Sequence, residues 1–318
     1  NRNLIFLFHE QIADFFERPE ASHIIIFSAI NFFLIPFGSI SLSLLRREMN
    51  FKVLFIIVVS SALVHAISSI SLAYAGFSYM SLAWASLLGT LTSVLLAMIY
   101  NPKAFFIIPG FTGIKGVFKF GSTASLISLI SQLGNILPEM IIGKFYGMSN
   151  VGLFSRASGV IRLFHMGIIQ GILPVILPHY VNTIKQGSNL KKDFFKISVA
   201  INCISWPFFS FVALSSESIL LFLFGDQWVG AAPLLQLLTI AAMFNNTFIL
   251  AGNVFVAYNS IHLQLRVSLV SHTIGFLLIV LASTQSLSLI LVAIILFRAT
   301  NLITTVYYLK KIISFSYP

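Results

Sequence analysis

The sequence predicts an all-α integral membrane protein with about nine transmembrane helices, and three observations lead there. Hydrophobic residues make up 58% of the 318 positions and charged residues only 9%, against about 25% charged in soluble domains. Mean hydropathy is +0.96. The apolar residues gather in runs of about 20 or more, enough at ~1.5 Å per helical residue to cross a hydrocarbon core of ~30 Å. So little polar surface could not keep a globule of this size in water.

Residues 4–20 hold the end of an apolar run and the acidic stretch HEQIADFFERPE. The first span, 24–45, carries Pro36 and ends at Arg46 and Arg47; spans 53–75 and 80–100 follow. The basic linker 101–119, with Lys103, Lys115 and Lys119, leads to a fourth span at 120–142 that carries Pro138 and Glu139. The fifth, 151–178, carries Arg156, Arg162, His165 and Pro174. Beyond a loop at 179–196 come spans 194–214 (Pro207), 231–256 (Pro233), 263–282 and 287–309, the last with Arg298. Prolines at these places kink helices or free carbonyls, as transporter helices tolerate.

The connections divide by charge. Arg46, Arg47, Lys52, the 101–119 linker, Lys185, Lys191, Lys192, Lys196, Arg266, Lys310 and Lys311 fall on one side. The other side holds Arg18 and Lys144 with Glu10, Asp14, Glu17, Glu20, Glu217 and Asp226. By the positive-inside rule the basic loops and the C-terminus are cytoplasmic. A net charge of +10 on a soluble domain would suggest nucleic acid. Spread over the loops of one membrane face, it points to topology and anionic lipid headgroups, and no nucleic-acid partner is expected.

Arg156, Arg162 and Arg298 belong to no loop, and Glu139 is the one acid inside a span. An arginine at mid-bilayer costs ~2.5–3.5 kcal/mol on insertion scales, so it generally faces protein or water. Arg162 and Arg298 each lie eleven residues into a span entered from the same side, about 16 Å deep by helix rise. Arginine forks at matched depth suit a wet, cationic cavity for an anionic headgroup. The plainer reading of Arg162 is a packing residue bonded to neighbouring carbonyls, and that of His165, three residues on, a satisfied polar group between helices. Arg156 lies higher, about 8 Å in, roughly 120° around the helix from Arg162, at a height that allows an ion pair with Glu139. Such a pair would dock two helices, or Glu139 and His165 would carry a coupling ion. Gln132, Asn135, Asn245, Asn246, Asn253 and Asn301 add polar groups to the spans, either facing a polar interior or serving as interhelical glue.

The single cysteine, Cys203, rules out a disulfide framework and a cysteine metal site. With no Walker loop and no His/Asp/Glu cluster at metal spacing, the sequence asks for no cofactor and no metal. The outer loops hold only Glu217 and Asp226 as a candidate acidic pair, and nothing around them looks catalytic; we expect no enzyme.

The stretch IIGKFYGMSNVGLFSRASGVIRLF resembles the signature of Wzx-type polysaccharide exporters, in the multidrug/oligosaccharidyl-lipid/polysaccharide flippase superfamily. IADFFERPE, LLRREMNFK and LFGDQWVGAAPLLQLLTI are similar to the same family in the same order, so the resemblance covers about residues 4–300. It implies a two-bundle (6+6) flippase fold. On that plan residues 1–100 are a partial N-terminal bundle of three helices plus an outer loop, 101–119 the cytoplasmic linker, and 120–318 a C-terminal six-helix bundle. About three helices would be missing at the start, which agrees with a chain that opens Asn-Arg-Asn without an initiator methionine. LLRREMNFKVLF and VAYNSIHLQLRVSL, at corresponding hairpins, echo a repeat. The resemblance also implies the cargo, an undecaprenyl-diphosphate-linked oligosaccharide, with a polysaccharide polymerase and glycosyltransferases as partners and the bacterial inner membrane as location. Of the candidate substrate-binding residues Arg156, Arg162, His165 and Arg298, only Arg156 sits on the family motif; the others follow from depth.

Three other readings stand beside this one. A cationic-drug exporter of the same superfamily would want carboxylates where this chain has arginines. A membrane-embedded glycan polymerase or ligase would want larger outer loops. A scaffold for biosynthetic enzymes would have no use for arginines inside the membrane.

Overall fold

The computed structural model describes residues 21–78, 80–102 and 113–313. The acidic segment 4–20 and most of the 101–119 linker lie outside the described residues. The chain divides between residues 111 and 112 into two compact units. No strand occurs among the described residues, and nine helical spans there are long and apolar enough to cross a membrane.

The first unit contains α1 (Ala21–Arg47), α2 (Phe51–Tyr74) and α3 (Met80–Tyr100). Asn50 starts α2 by accepting the Val53 N–H on its side chain at 3.4 Å, the role short polar residues play at helix starts. α3 packs against both other helices through small residues such as Ala85, Gly89 and Ala97. A Cβ on Gly89 would come within 3.3 Å of the Ser61 carbonyl of α2, the close backbone approach expected of small residues in membrane bundles. Asn31 of α1 donates to the Ser86 hydroxyl of α3 at 3.0 Å.

The second unit opens with α4 (Ile114–Tyr146) and α5 (Met148–Phe164), then a single π-helical turn, His165–Ile169, and α6 (Gln170–Lys185). α7 (Leu190–Leu214), the short α8 (Ser216–Phe224) and a 3-10 turn, Asp226–Ala231, lead to α9 (Ala232–Thr247) and α10 (Ala251–Ala257). The hairpin α11 (Ile261–Ser283) and α12 (Leu287–Leu309) completes it. α9 is the central helix, packed on α5, α7 and α12, while α4 lies against α11 and α5. One apolar cluster joins Ile142, Phe154, Leu220, Leu235 and Ile290; another, towards the basic loops, joins Phe164, Tyr180, Phe194, Phe209 and Phe255. Large apolar side chains such as Leu133, Leu214 and Phe222 lie outside both clusters and are exposed, the arrangement expected when lipid is the solvent.

Several helical segments differ from the sequence expectation: α4 begins at Ile114, inside the expected 101–119 linker, and the expected span 231–256 is broken into α9 and α10. The fifth span does not end at residue 178 but runs from Met148 to Lys185, 38 residues or about 57 Å, and only residues 186–189 separate it from α7. Its extension is held by Asp193 of α7, whose Oδ2 lies 3.3 Å from His179 Nε2 and accepts from the Thr183 hydroxyl at 3.2 Å. Polar residues there do not stop a helix, because beyond the hydrocarbon they are simply solvated. The 215–230 connection, read from sequence as loop, instead folds into α8 and the 3-10 turn.

Candidate functional site

Four helices of the second unit surround a cavity of about 560 Å³. α4 offers it Gln132, Asn135 and Glu139, spaced three and four apart, so that they share one helix face. α5 and the turn after it offer Ser158, Arg162 and His165, again on one face. Asn245 of α9 and Arg298 of α12 complete the polar part of the lining, with Phe297 beside them.

Two local distortions shape these walls. Pro138 lies inside α4, so the Gly134 carbonyl one turn earlier loses its ordinary helical donor. At His165 the helix widens into a π turn, and the Gln170 N–H donates to the His165 carbonyl. Single π turns of this kind recur at functional sites; Pro174 and Pro178 follow within α6.

Arg298 ties the walls together. Its guanidinium donates to Asn245 Oδ1 of α9 and to Asn135 Oδ1 of α4, both at 3.2 Å. It also lies 4.9 Å from the centre of the Phe297 ring. Guanidinium carries five N–H donors, so these two bonds hold its orientation and leave donors for a ligand. Arg162 and Glu139 line the same cavity, and neither forms an ion pair within 4.0 Å among the described residues. The arrangement is a fixed guanidinium and a free one, with a carboxylate and an imidazole, in one water-accessible space. Guanidinium groups so placed can pair with an anionic oxygen through charge-assisted hydrogen bonds. No cluster of His, Cys, Asp and Glu able to hold a metal occurs among the described residues.

The structure thus brings Arg162, His165, Arg298 and Glu139 onto one cavity, and leaves Arg156 off it. The expected Arg156–Glu139 pair does not form. Arg156 stacks instead on Trp228 and Phe224, 4.7 and 5.3 Å from their ring centres. Trp228 also covers Gly152, where a Cβ would sit 3.5 Å from the ring. The 120° offset from Arg162 turns Arg156 towards α8 and the 3-10 turn, where it clasps the N-terminal end of α5. Asn135 and Asn245 were legible as polar positions in spans, but their role as acceptors for Arg298 was not; the spacing of Gln132, Asn135 and Glu139 was the available signal.

A family model described as "Polysaccharide biosynthesis protein" matches residues 2–233. The chain belongs to this family. Arg162, His165 and Glu139 fall within the matched residues and Arg298 beyond them. The chain is 24% identical over 262 residues to the teichuronic acid biosynthesis protein TuaB of Bacillus subtilis, covering 80% of this chain and 53% of that protein. It is 21% identical to the lipopolysaccharide biosynthesis protein WzxC of Escherichia coli, with 80% and 52% covered. It is 24% identical to the succinoglycan biosynthesis transport protein ExoT of Rhizobium meliloti, with 74% and 48% covered. The chain spans about half the length of these relatives. A crystal structure of a MATE in complex with MaL6 superimposes with a TM-score of 0.73 at 17% identity, covering 98% of this chain and 75% of that one. That likeness concerns the fold alone, and it fits a two-bundle membrane architecture. Family and apolar spans together make this a multi-pass membrane protein.

Proposed function

We propose that the protein acts, within a full-length flippase, to move undecaprenyl-diphosphate-linked oligosaccharide repeat units across the bacterial inner membrane. The product pathway is surface polysaccharide: lipopolysaccharide O-antigen, capsule or exopolysaccharide. Transport runs by alternating access, with the C-terminus and the basic loops in the cytoplasm. The protein performs no chemistry on the glycan; a polymerase and glycosyltransferases act before and after it.

One observation carries this reading. Arg162 and Arg298, from different helices, line one cavity with Asn135 and Asn245, which offers one anchored guanidinium and one without an ion pair to a diphosphate inside the membrane. A drug cation would be repelled by the same pair. The relatives named for teichuronic acid, lipopolysaccharide and succinoglycan biosynthesis support a glycan cargo. Glu139 and His165 are the groups through which a proton or sodium gradient acts on that cavity.

The test is transport by full-length protein in proteoliposomes, read as exposure of the lipid-linked oligosaccharide on the opposite leaflet. Charge-neutral replacement of both arginines, Arg162→Gln with Arg298→Gln, lowers the rate about tenfold or more, the scale of one lost charge-assisted hydrogen bond. A folded double variant that transports at the unmodified rate overturns the reading.

A further inference from the structure

A second cavity adjoins the first. It is an apolar groove of about 390 Å³ between α4 and α11, with Leu133, Leu137 and Met140 on one side, Leu269 and Phe276 on the other, and Phe297 at its base. Gly134, Ile136 and Phe297 line both this groove and the arginine cavity. The outer lips are open, with Leu133 68% and Met140 66% exposed.

Close packing makes the partition between the two spaces thin. A Cβ at Gly134 would collide with the His272 ring, and one at Gly275 with the Phe297 ring. His272 is fixed by a 2.8 Å contact between its Nδ1 and the Ser268 carbonyl, and its ring packs edge-on to Phe297 at 5.1 Å. Phe297 in turn lies against the Arg298 guanidinium. The surface therefore passes from apolar groove to cationic cavity across one aromatic ring, and along α4 from Ile136 to Asn135 by one residue.

We propose that this groove holds the polyprenyl chain of the substrate whose diphosphate lies on Arg162 and Arg298. The inference rests on the functional reading above and adds where the lipid goes. An amphiphile with a charged head on a long apolar tail needs two surfaces of opposite character in direct continuity, and the shared residues Gly134, Ile136 and Phe297 provide it. On α4 the groove runs from Ile130 to Met140, about 15 Å by helix rise, or half of a ~30 Å hydrocarbon core. It occupies the half of α4 away from Lys115 and Lys119. The tail is therefore held in the leaflet opposite the basic loops, beside the head that has just crossed. The chain never has to leave lipid, and only the head and its sugars need the wet path.

The experiment uses full-length protein in nanodiscs, a photo-activatable phenylalanine analogue placed at Leu133 or Phe276, and the same analogue at Phe211 as an exposed apolar control on α7. Added long-chain polyprenyl diphosphate is expected to be captured at least about fivefold more at Leu133 and Phe276 than at Phe211. Excess unlabelled polyprenyl diphosphate should compete, and phospholipid should not. Binding of long-chain and two-isoprene diphosphates is then measured for Leu133→Trp and Met140→Trp. These variants are expected to weaken the long chain about tenfold, the worth of roughly two buried methylenes, and to leave the short one unchanged. Equal capture at all three positions, or phospholipid adducts that polyprenyl diphosphate does not displace, overturns the groove. Arg162→Gln and Arg298→Gln report separately on the head: if they leave short-chain binding intact, the headgroup reading fails whatever the cross-links show.

Discussion

The Arg298 guanidinium of α12 donates to Asn135 Oδ1 of α4 at 3.2 Å, joining residues 163 positions apart. The same group donates to Asn245 of α9, so one side chain spans three walls of the cavity. An arginine anchored by two neutral acceptors keeps its full charge available. An anchoring carboxylate would have neutralised it, and the cavity would have lost its pull on an anion.

Asn135 is therefore a positioning residue. Asn135→Leu should lower binding of polyprenyl diphosphate by roughly tenfold through loss of a hydrogen bond to a charged group. Asn135→Asp should weaken it further by pairing with Arg298, although the side chain keeps its size. Equilibrium binding to full-length protein measures both, and a better-binding Asp variant would contradict the anchor.

Glu139 faces the same cavity without an ion-pair partner among the described residues. Glu139→Gln removes the one carboxylate there, so the response of transport to an imposed gradient should flatten while substrate binding is kept. Transport rates in proteoliposomes with and without a proton or sodium gradient decide it. A Gln variant with the full gradient response assigns coupling elsewhere.

Arg156 and Trp228 should matter for stability and not for affinity. Trp228→Ala removes a cation–π contact worth about 0.5–2 kcal/mol and uncovers Gly152, so the detergent-solubilised protein should unfold at a lower temperature. The Kd for polyprenyl diphosphate should be unchanged. A loss of affinity at unchanged stability would return Arg156 to the substrate site.

A side chain at Gly134 meets the His272 ring, which has to shift to make room. Gly134→Val places branched carbon against His272, and overpacking of this kind costs about 1–3 kcal/mol. Accumulation of folded protein should fall, and a second change, His272→Ala, should restore part of it. Unimpaired accumulation of Gly134→Val alone would show that α4 and α11 are not packed this closely.

The spans were legible because lipid demands long apolar helices, and each expected span overlaps a helix of the structure or a run of them. The ends were less legible: the extension to Lys185 is secured by Asp193, a contact that depends on the neighbouring helix and not on local pattern. Depth along a helix placed Arg162 and Arg298 at one level, and the cavity joins them. Direction around the helix was harder. Arg156 and Glu139 matched in height, yet aromatic rings from α8 and the 3-10 turn claim the guanidinium. The groove beside the cavity left little polar signal, since apart from His272 and Thr273 it is lined by glycines, aliphatic residues and phenylalanines that any membrane helix carries.

Recognition of the diphosphate is measured most directly by comparing binding of a polyprenyl-diphosphate oligosaccharide with that of its uncharged polyprenyl glycoside to full-length protein. The unmodified protein should prefer the diphosphate by about tenfold or more, and Arg162→Gln with Arg298→Gln should abolish the preference while the protein remains folded. A preference that survives the loss of both arginines would show that Arg162 and Arg298 do not recognise the diphosphate.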